Sequence, residues 1–365
     1  MTALNDHLVH TIKENGPISF AYYMAECLAN PKHGYYMTRD PIGKSGDFIT
    51  SPEVSQMFGE MVGLWVIDCW QKMSYPPSFN LVELGPGRGT LMADIIRILH
   101  TQPDIRDAVQ IQMVEISPPL KDLQRKTLEG VGLTATWHER FMDVPEGPTI
   151  IIANEFFDAL PQHQFMKKGE SWAEHTIGVE DDKLASLMAA PGPSFQLLDK
   201  DLVKKAKDGD VLEVCPPALY MMGDIAARLK SYGGGALIID YGYTKPGVGN
   251  TIQAMKGHDF HPPLEAPGEA DITAHVNFMA LQTALGELEM DVLGPVTQRD
   301  FLKNLGIDYR AEQIISANPD RPGAAENIQK GLKKLVGEKE MGNLFKVLGI
   351  SYGLYGEPPG FHEIV

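Results

Sequence analysis

Cysteine is scarce in this 365-residue chain: Cys27, Cys69 and Cys215 are an odd, scattered set with no metal-ligand spacing. That rules out a disulfide scaffold and points to thiols used as core residues in a reducing compartment. No run of about 18 apolar residues occurs, so no membrane insertion is expected. The start, Met1 to Asn15, lacks an apolar block behind a basic stretch and lacks arginine, while carrying Asp6 and Glu14. It reads as neither a secretory signal nor a transit peptide, and the expected location is cytoplasmic. Positive charge is also short, with 32 Lys and Arg against 48 Asp and Glu, for a formal charge of −16. Such a surface disfavours a nucleic acid backbone and suits a basic protein segment. Ser231 and Ser351 have no nucleophile-elbow context, which argues against a hydrolase. What remains is a chain with 43% hydrophobic residues, ample for one large domain with additions or for two domains.

The most informative segment is Leu81-Val82-Glu83-Leu84-Gly85-Pro86-Gly87-Arg88-Gly89-Thr90, an apolar strand breaking into a glycine loop that opens the helix Leu91 to Leu99. Gly85, Gly87 and Gly89 permit backbone dihedrals closed to other residues and leave no side chain between amide N–H groups and a ligand. A helix start adds further donors. A dinucleotide fingerprint needs G-x-G-x-x-G, with its third glycine where Thr90 stands, so a nicotinamide dehydrogenase is disfavoured. The spacing here is G-x-G-x-G with Glu83 two residues ahead. That pattern resembles the first motif of class I S-adenosylmethionine-dependent methyltransferases. A glycine-rich turn with no ligand is the plain alternative.

The unit continues as such a fold requires. Gln110 to Glu115 reads as a second strand ending in an acid, and a carboxylate there can accept both hydroxyls of a ribose. A third short strand, Leu133 to Trp137, leads to Asp143, the candidate for the adenine amino group. A fourth strand, Thr149 to Ala153, has no polar alternation and runs into Asn154-Glu155-Phe156-Phe157-Asp158-Ala159-Leu160-Pro161. Ligands of open parallel sheets sit outside the carboxyl ends of the strands, so this segment should face the reacting group. Asn154 joins Glu83, Gly85, Gly87, Gly89, Glu115 and Asp143 in the expected cofactor-binding set. For Asp143 a turn residue, and for Asp158 a helix cap, are the structural alternatives.

Residues 1–75 read as a helical N-terminal cap, with Glu53 to Trp70 at helical apolar spacing. Residues 76–161 and 212–365 form the expected core, with strands near Ala236 to Tyr241, Asp291 to Val296 and Leu344 to Tyr352, and helices near Pro217 to Ser231 and Thr273 to Gly286. Residues 162–211 break into short strand-like pieces, an inserted strand-rich region. His258, His261 and His275 lie near Asp259 and Asp271 in a proline-rich loop without helical ligand spacing, and no metal site is expected.

Beyond the general motifs, the chain resembles the MidA family, bacterial relatives of a mitochondrial complex I assembly factor that methylates an arginine. The likeness rests on Gly34-Tyr35-Tyr36, Gly46-Asp47-Phe48-Ile49-Thr50-Ser51-Pro52-Glu53, Phe58-Gly59-Glu60, Glu83 to Gly89, Asn154 to Pro161, Ile239-Asp240-Tyr241-Gly242 and Asp271-Ile272-Thr273-Ala274-His275-Val276-Asn277-Phe278, in order along nearly the whole chain. It implies an α/β, Rossmann-like class I methyltransferase sheet of seven mostly parallel strands. It also implies S-adenosyl-L-methionine as cofactor and an arginine on a protein as acceptor, with a subunit of NADH:quinone oxidoreductase (complex I) as the expected partner. On that reading Glu155 orients the guanidinium, Asp158 assists, and His275 or Asp271 carries the proton. Two other readings stay open: methylation of a nucleic acid or small molecule, and a non-catalytic assembly chaperone that binds S-adenosyl-L-methionine.

Overall fold

A strand with no polar alternation should be covered on both faces, and Thr149–Asn154 is buried at every position. It pairs in parallel on both sides, in the middle of an eight-stranded sheet. Seven strands form its path: β1 (Phe79–Leu84), β2 (Val109–Val114), β3 (Thr136–His138), β4 (Thr149–Asn154), β5 (Gly234–Tyr243), β6 (Asp291–Thr297) and β7 (Phe345–Tyr352). Their order is β6-β7-β5-β4-β1-β2-β3, and the two-residue strand Val276–Asn277 pairs with β5 off this path. The links from β5 to β3 are parallel, while β7 is antiparallel to both β5 and β6. This is the expected methyltransferase sheet with one short strand added.

The structure is a computed structural model and describes residues 2–39, 49–245, 247–286, 288–319 and 322–362. The Gly46-Asp47-Phe48 part of the sequence motif lies outside them. The chain divides into two compact units, one of 49–157, 222–242 and 276–365 and the other of 1–48, 158–221 and 243–275.

The first unit holds the large sheet. Helix Thr90–Leu99 follows the glycine loop and buries Leu91, Met92, Ile95, Ile96 and Leu99. Helix Gln56–Lys72 approaches it closely: a Cβ on Gly59 would stand 2.5 Å from the Cβ of Asp94, and one on Gly63 would stand 3.2 Å from the Ile95 carbonyl. Only residues without a side chain allow that spacing. The helix expected over Glu53 to Trp70 is split, because Ser55 is extended (φ −165°, ψ 136°) and accepts the Met57 N–H on its own hydroxyl. Ser51–Val54 forms a separate helical turn ahead of it.

In the second unit, strands His163–Lys168, Ser171–Glu180, Lys183–Ala189 and Val211–Val214 form an antiparallel sheet. The N-terminal pair Ile18–Ser19 joins it, Ile18 opposite Ile177 and Ser19 opposite Thr176. The N-terminal segment and the strand-rich region, set apart in the sequence, therefore share one sheet. Helices Ala3–Asn15 and Phe20–Ala29 supply Leu4, Leu8, Phe20, Tyr23 and Met24 to a core with Ile177 and Ile272. Back in the first unit, the helix expected from Thr273 starts later, at Phe278, because Asn277 caps it by accepting the Ala280 N–H.

Candidate active site

The carboxyl ends of β1, β2 and β4 supply the polar groups of the large sheet that the sequence singles out. Gly85, Gly87 and Gly89 all have positive φ, at 61°, 53° and 78°, and Gly89 is the N-cap of helix Thr90–Leu99 in the left-handed region. The Gly85 N–H donates to the Val114 carbonyl at 3.0 Å, which fastens the loop to β2. On its other side the loop meets the β4 turn, since a Cβ on Gly85 would stand 2.9 Å from Phe156.

Glu83, at the end of β1, is 3% exposed and accepts the Met92 N–H, one of the unpaired donors of the first helical turn. Its Oε2 is buried without a hydrogen-bond partner. Burial, with Glu115 adding repulsion, pushes its carboxyl up to about 8. Glu115 is also buried, which raises its carboxyl, but its oxygens are tethered: Oε1 accepts the Ser117 N–H at 2.8 Å and Oε2 the Gln124 amide at 3.1 Å. The same Gln124 nitrogen donates to the Gly87 carbonyl at 2.9 Å, and the Trp137 indole donates to Gln124 Oε1 at 2.8 Å. Gln124 thus ties the glycine loop, the β2 acid and β3 together. It lies in helix Pro118–Glu129, where a lone glutamine on a buried face carries no motif, so sequence reasoning missed it. A carboxylate has about four acceptor sites, so the donors from Ser117, Gln124 and Ile116 leave Glu115 with acceptor capacity.

The β4 end is built differently. Glu155 has φ +52°, a left-handed conformation rare for a glutamate, and its N–H donates to the Ile239 carbonyl at 2.9 Å. Its Oε1 accepts from the Ser51 N–H at 2.9 Å and from the Asn154 amide at 3.1 Å. Asn154 is buried and its Oδ1 has no partner. The turn is closed by Asp240 at the end of β5, fully buried, which accepts the Phe157 N–H at 3.0 Å and the Tyr241 N–H at 2.9 Å. Asp143 is exposed at the end of the 3₁₀ turn Phe141–Asp143, where two bonds from Arg140 at 3.0 and 2.6 Å hold its carboxyl below the usual range.

Asp158, Asp271 and His275 belong to the other compact unit, and the boundary falls between Phe157 and Asp158. There the Asp158 carbonyl accepts the Ala274 N–H at 3.0 Å, Tyr36 donates its hydroxyl to Asp271 at 2.8 Å, and the His275 N–H donates to Thr251. Burial, with Asp271 and Asp158 nearby, pushes the Tyr36 hydroxyl far up. Tyr36 lies in the Gly34-Tyr35-Tyr36 segment, yet nothing local marks it as a partner of an acid 235 residues away. Among the described residues no group of three or more His, Cys, Asp or Glu side chains could hold a metal ion, and no helix is long and apolar enough to cross a membrane.

Three left-handed glycines, a tethered acid on the neighbouring strand and two orphaned buried oxygens make a cradle short of donors, which fits a nucleoside carrying hydroxyl and amino groups. A family model described as "Putative S-adenosyl-L-methionine-dependent methyltransferase" matches residues 61–296, a span that contains the whole cradle. The chain belongs to that family of S-adenosyl-L-methionine-dependent methyltransferases. Similar proteins are named "Protein arginine methyltransferase NDUFAF7, mitochondrial". The one from Xenopus tropicalis is 38% identical over 95% of this chain and 85% of its own length, and the human one is 35% identical over 96% and 83%. A crystal structure of a Burkholderia thailandensis protein bound to S-adenosyl-homocysteine is also similar, with a TM-score of 0.87 and 27% identity over 98% of this chain and 93% of that one. These relatives agree with the resemblance to the MidA family, and this methyltransferase is an enzyme that uses S-adenosyl-L-methionine. The expectation of a cytoplasmic location is overturned, because the relatives are named as mitochondrial. Composition at Met1 to Asn15 speaks only to that stretch and does not decide a compartment.

Proposed function

We propose that this methyltransferase transfers a methyl group to the guanidinium of an arginine on a protein, and that the acceptor is a subunit of NADH:quinone oxidoreductase during its assembly. The observation that carries the arginine chemistry is the likeness, along almost the full length, to relatives named protein arginine methyltransferase. The complex I acceptor rests on the MidA resemblance, and the formal charge of −16 suits a basic segment as partner.

Bound S-adenosyl-L-methionine supplies an electrophilic methyl on a sulfonium. The residues do the rest. Glu83, Glu115 and Asn154 carry the spare acceptors toward the cofactor, and the glycine-loop backbone lies alongside it, held in shape by the Gly85 and Gly89 amides that donate to the Val114 and Pro86 carbonyls. A guanidinium holds its proton far above neutral pH and is a poor nucleophile, so it must be aimed and relieved of a proton. A carboxylate paired with one edge of the guanidinium localises charge there and turns the opposite nitrogen toward the methyl. Glu155 is given that role, since two donors hold one of its oxygens and its backbone sits in a conformation costing about 1–3 kcal/mol. Asp158, Asp271 and His275 stand in the other compact unit, and the role proposed here rests on Glu155.

The test is Glu155→Gln, assayed with labelled S-adenosyl-L-methionine on purified NADH:quinone oxidoreductase subunits, beside calorimetry with S-adenosyl-homocysteine. Methylation should be abolished while affinity for S-adenosyl-homocysteine stays within about threefold. A fully active variant removes the role of Glu155. A wild-type enzyme that methylates none of the subunits removes the acceptor.

A further inference from the structure

The turn Ser51–Val54 touches both the β4 end and the helix behind the glycine loop. The Ser51 N–H donates to Glu155 Oε1 at 2.9 Å. Two residues on, Glu53 Oε1 accepts the Thr90 hydroxyl at 2.5 Å, and Thr90 is the first residue of the helix that the glycine loop opens. The turn is itself anchored: Ser51 is fully buried, its hydroxyl donates to Gln298 Oε1 at 3.3 Å, and the Gln298 amide donates to the Leu335 carbonyl at 2.9 Å. All of these groups lie in the unit that holds the large sheet.

We propose that Glu53 is a positioning residue, which through Thr90 and the Ser51–Val54 turn couples the cofactor loop to the orientation of Glu155. The proposal deepens the role assigned to Glu155 and rests on that reading. A turn pinned at Gln298 has little freedom, so its remaining movement is shared between two contacts: the loop end at Glu53 and the Glu155 carboxylate at Ser51. When the loop settles around its ligand, the Thr90 hydroxyl fixes the turn, and the turn fixes the donor that holds Glu155. Displacing a reacting partner by about 1 Å can cost about 100-fold in rate, so a hydrogen bond one step away from the chemistry carries weight. Neither Glu53 nor Thr90 is assigned contact with substrate, and their loss should therefore lower turnover more than it weakens donor binding.

The test compares Glu53→Ala, Glu53→Gln, Thr90→Val and the Glu53→Ala/Thr90→Val double variant in the full chain. Expected are a fall in kcat of about 10-fold or more for Glu53→Ala and Thr90→Val with KM for S-adenosyl-L-methionine little changed, a double variant no worse than either single one, and partial rescue in Glu53→Gln, whose amide oxygen still accepts the hydroxyl. A second readout needs no acceptor protein. S-adenosyl-homocysteine should slow amide exchange at both 85–92 and 51–54 in the wild type, and only at 85–92 in Glu53→Ala. A kcat within twofold of wild type, single effects that multiply, or equal protection of 51–54 in wild type and Glu53→Ala would overturn the coupling. If Glu155→Gln is inactive while Glu53→Ala is fully active, only the coupling falls; if Glu155→Gln is fully active, the reading beneath it falls too.

Discussion

The acids at the ends of β1 and β4 stand on adjacent parallel strands, yet the structure treats them in opposite ways. Glu83 ends a strand that is buried throughout, caps the helix behind the glycine loop through Met92, and keeps one oxygen buried without a partner. Glu155 leaves its strand in a left-handed conformation, is only partly buried, and has one oxygen held by donors from two segments. The β1 end is therefore a rigid receptacle whose spare acceptor suits a ligand's donor. The β4 end holds a carboxylate on a strained backbone, the feature on which the role proposed for Glu155 rests. Regular geometry suits binding and strained geometry suits chemistry, and each half of that comparison can be tested.

The largest expected effect attacks the receptacle. Gly85→Val would put a side chain where φ is +61° and where even a Cβ meets Phe156 at 2.9 Å, so the loop must move or the β4 turn must yield. Calorimetry with S-adenosyl-homocysteine should show binding weakened by about 100-fold or more, because the loop backbone can no longer hold the shape that brings it close to the ligand. Unchanged affinity would mean that the loop is not the receptacle.

A smaller effect concerns the charge of Glu83. Its carboxyl is held up to about 8 in the folded protein, against an ordinary value of 4.5. The folded state thus holds a proton that the unfolded state has released, and the contribution of Glu83 to stability falls as pH rises between about 4.5 and 8. Without ligand, the melting temperature should decline across that window, and Glu83→Gln should flatten the decline. A donor brought to the orphaned oxygen favours the ionised form, so uptake of S-adenosyl-homocysteine near pH 7 should release a proton. Calorimetry in buffers of different ionisation enthalpy reads that release. No proton release, with a wild-type pH slope kept in Glu83→Gln, would make Glu83 only a helix cap.

The contrast also explains what the sequence could show. The stretch Leu81 to Leu99 was legible because strand, glycine loop and helix follow one another directly in the chain. Thr149–Asn154 was legible for the same reason, and the family resemblance added the roles. The tether of Glu115 was not, since Gln124 meets Gly87 and Trp137 only once β1, β2 and β3 are assembled. The pairing of Ile18–Ser19 with Thr176–Ile177 spans more than 150 residues and rests on two residue pairs, too short for any alternating pattern. The helix misplaced at Thr273 was a question of capping: the apolar spacing runs through, but Asn277 provides the cap and the residues before it take strand pairings instead.

Asp143 sharpens the comparison by a smaller step, because it belongs neither to a buried receptacle nor to a strained turn. It is exposed, and Arg140 already engages both of its oxygens, which gives the structural alternative of a turn-stabilising pair real content. A carboxylate so engaged still has acceptor capacity, and its assigned partner is the amino group of adenine. The two readings separate with a ligand pair, S-adenosyl-homocysteine and its inosine analogue, which lacks that amino group. If Asp143 reads the amino group, the wild type should prefer the adenosine compound by about 10-fold and Asp143→Ala should erase most of that preference, with Asp143→Asn keeping part of it through its amide oxygen. If Asp143 serves only its turn, the preference survives in Asp143→Ala, and the adenine must be recognised by backbone groups on the receptacle side.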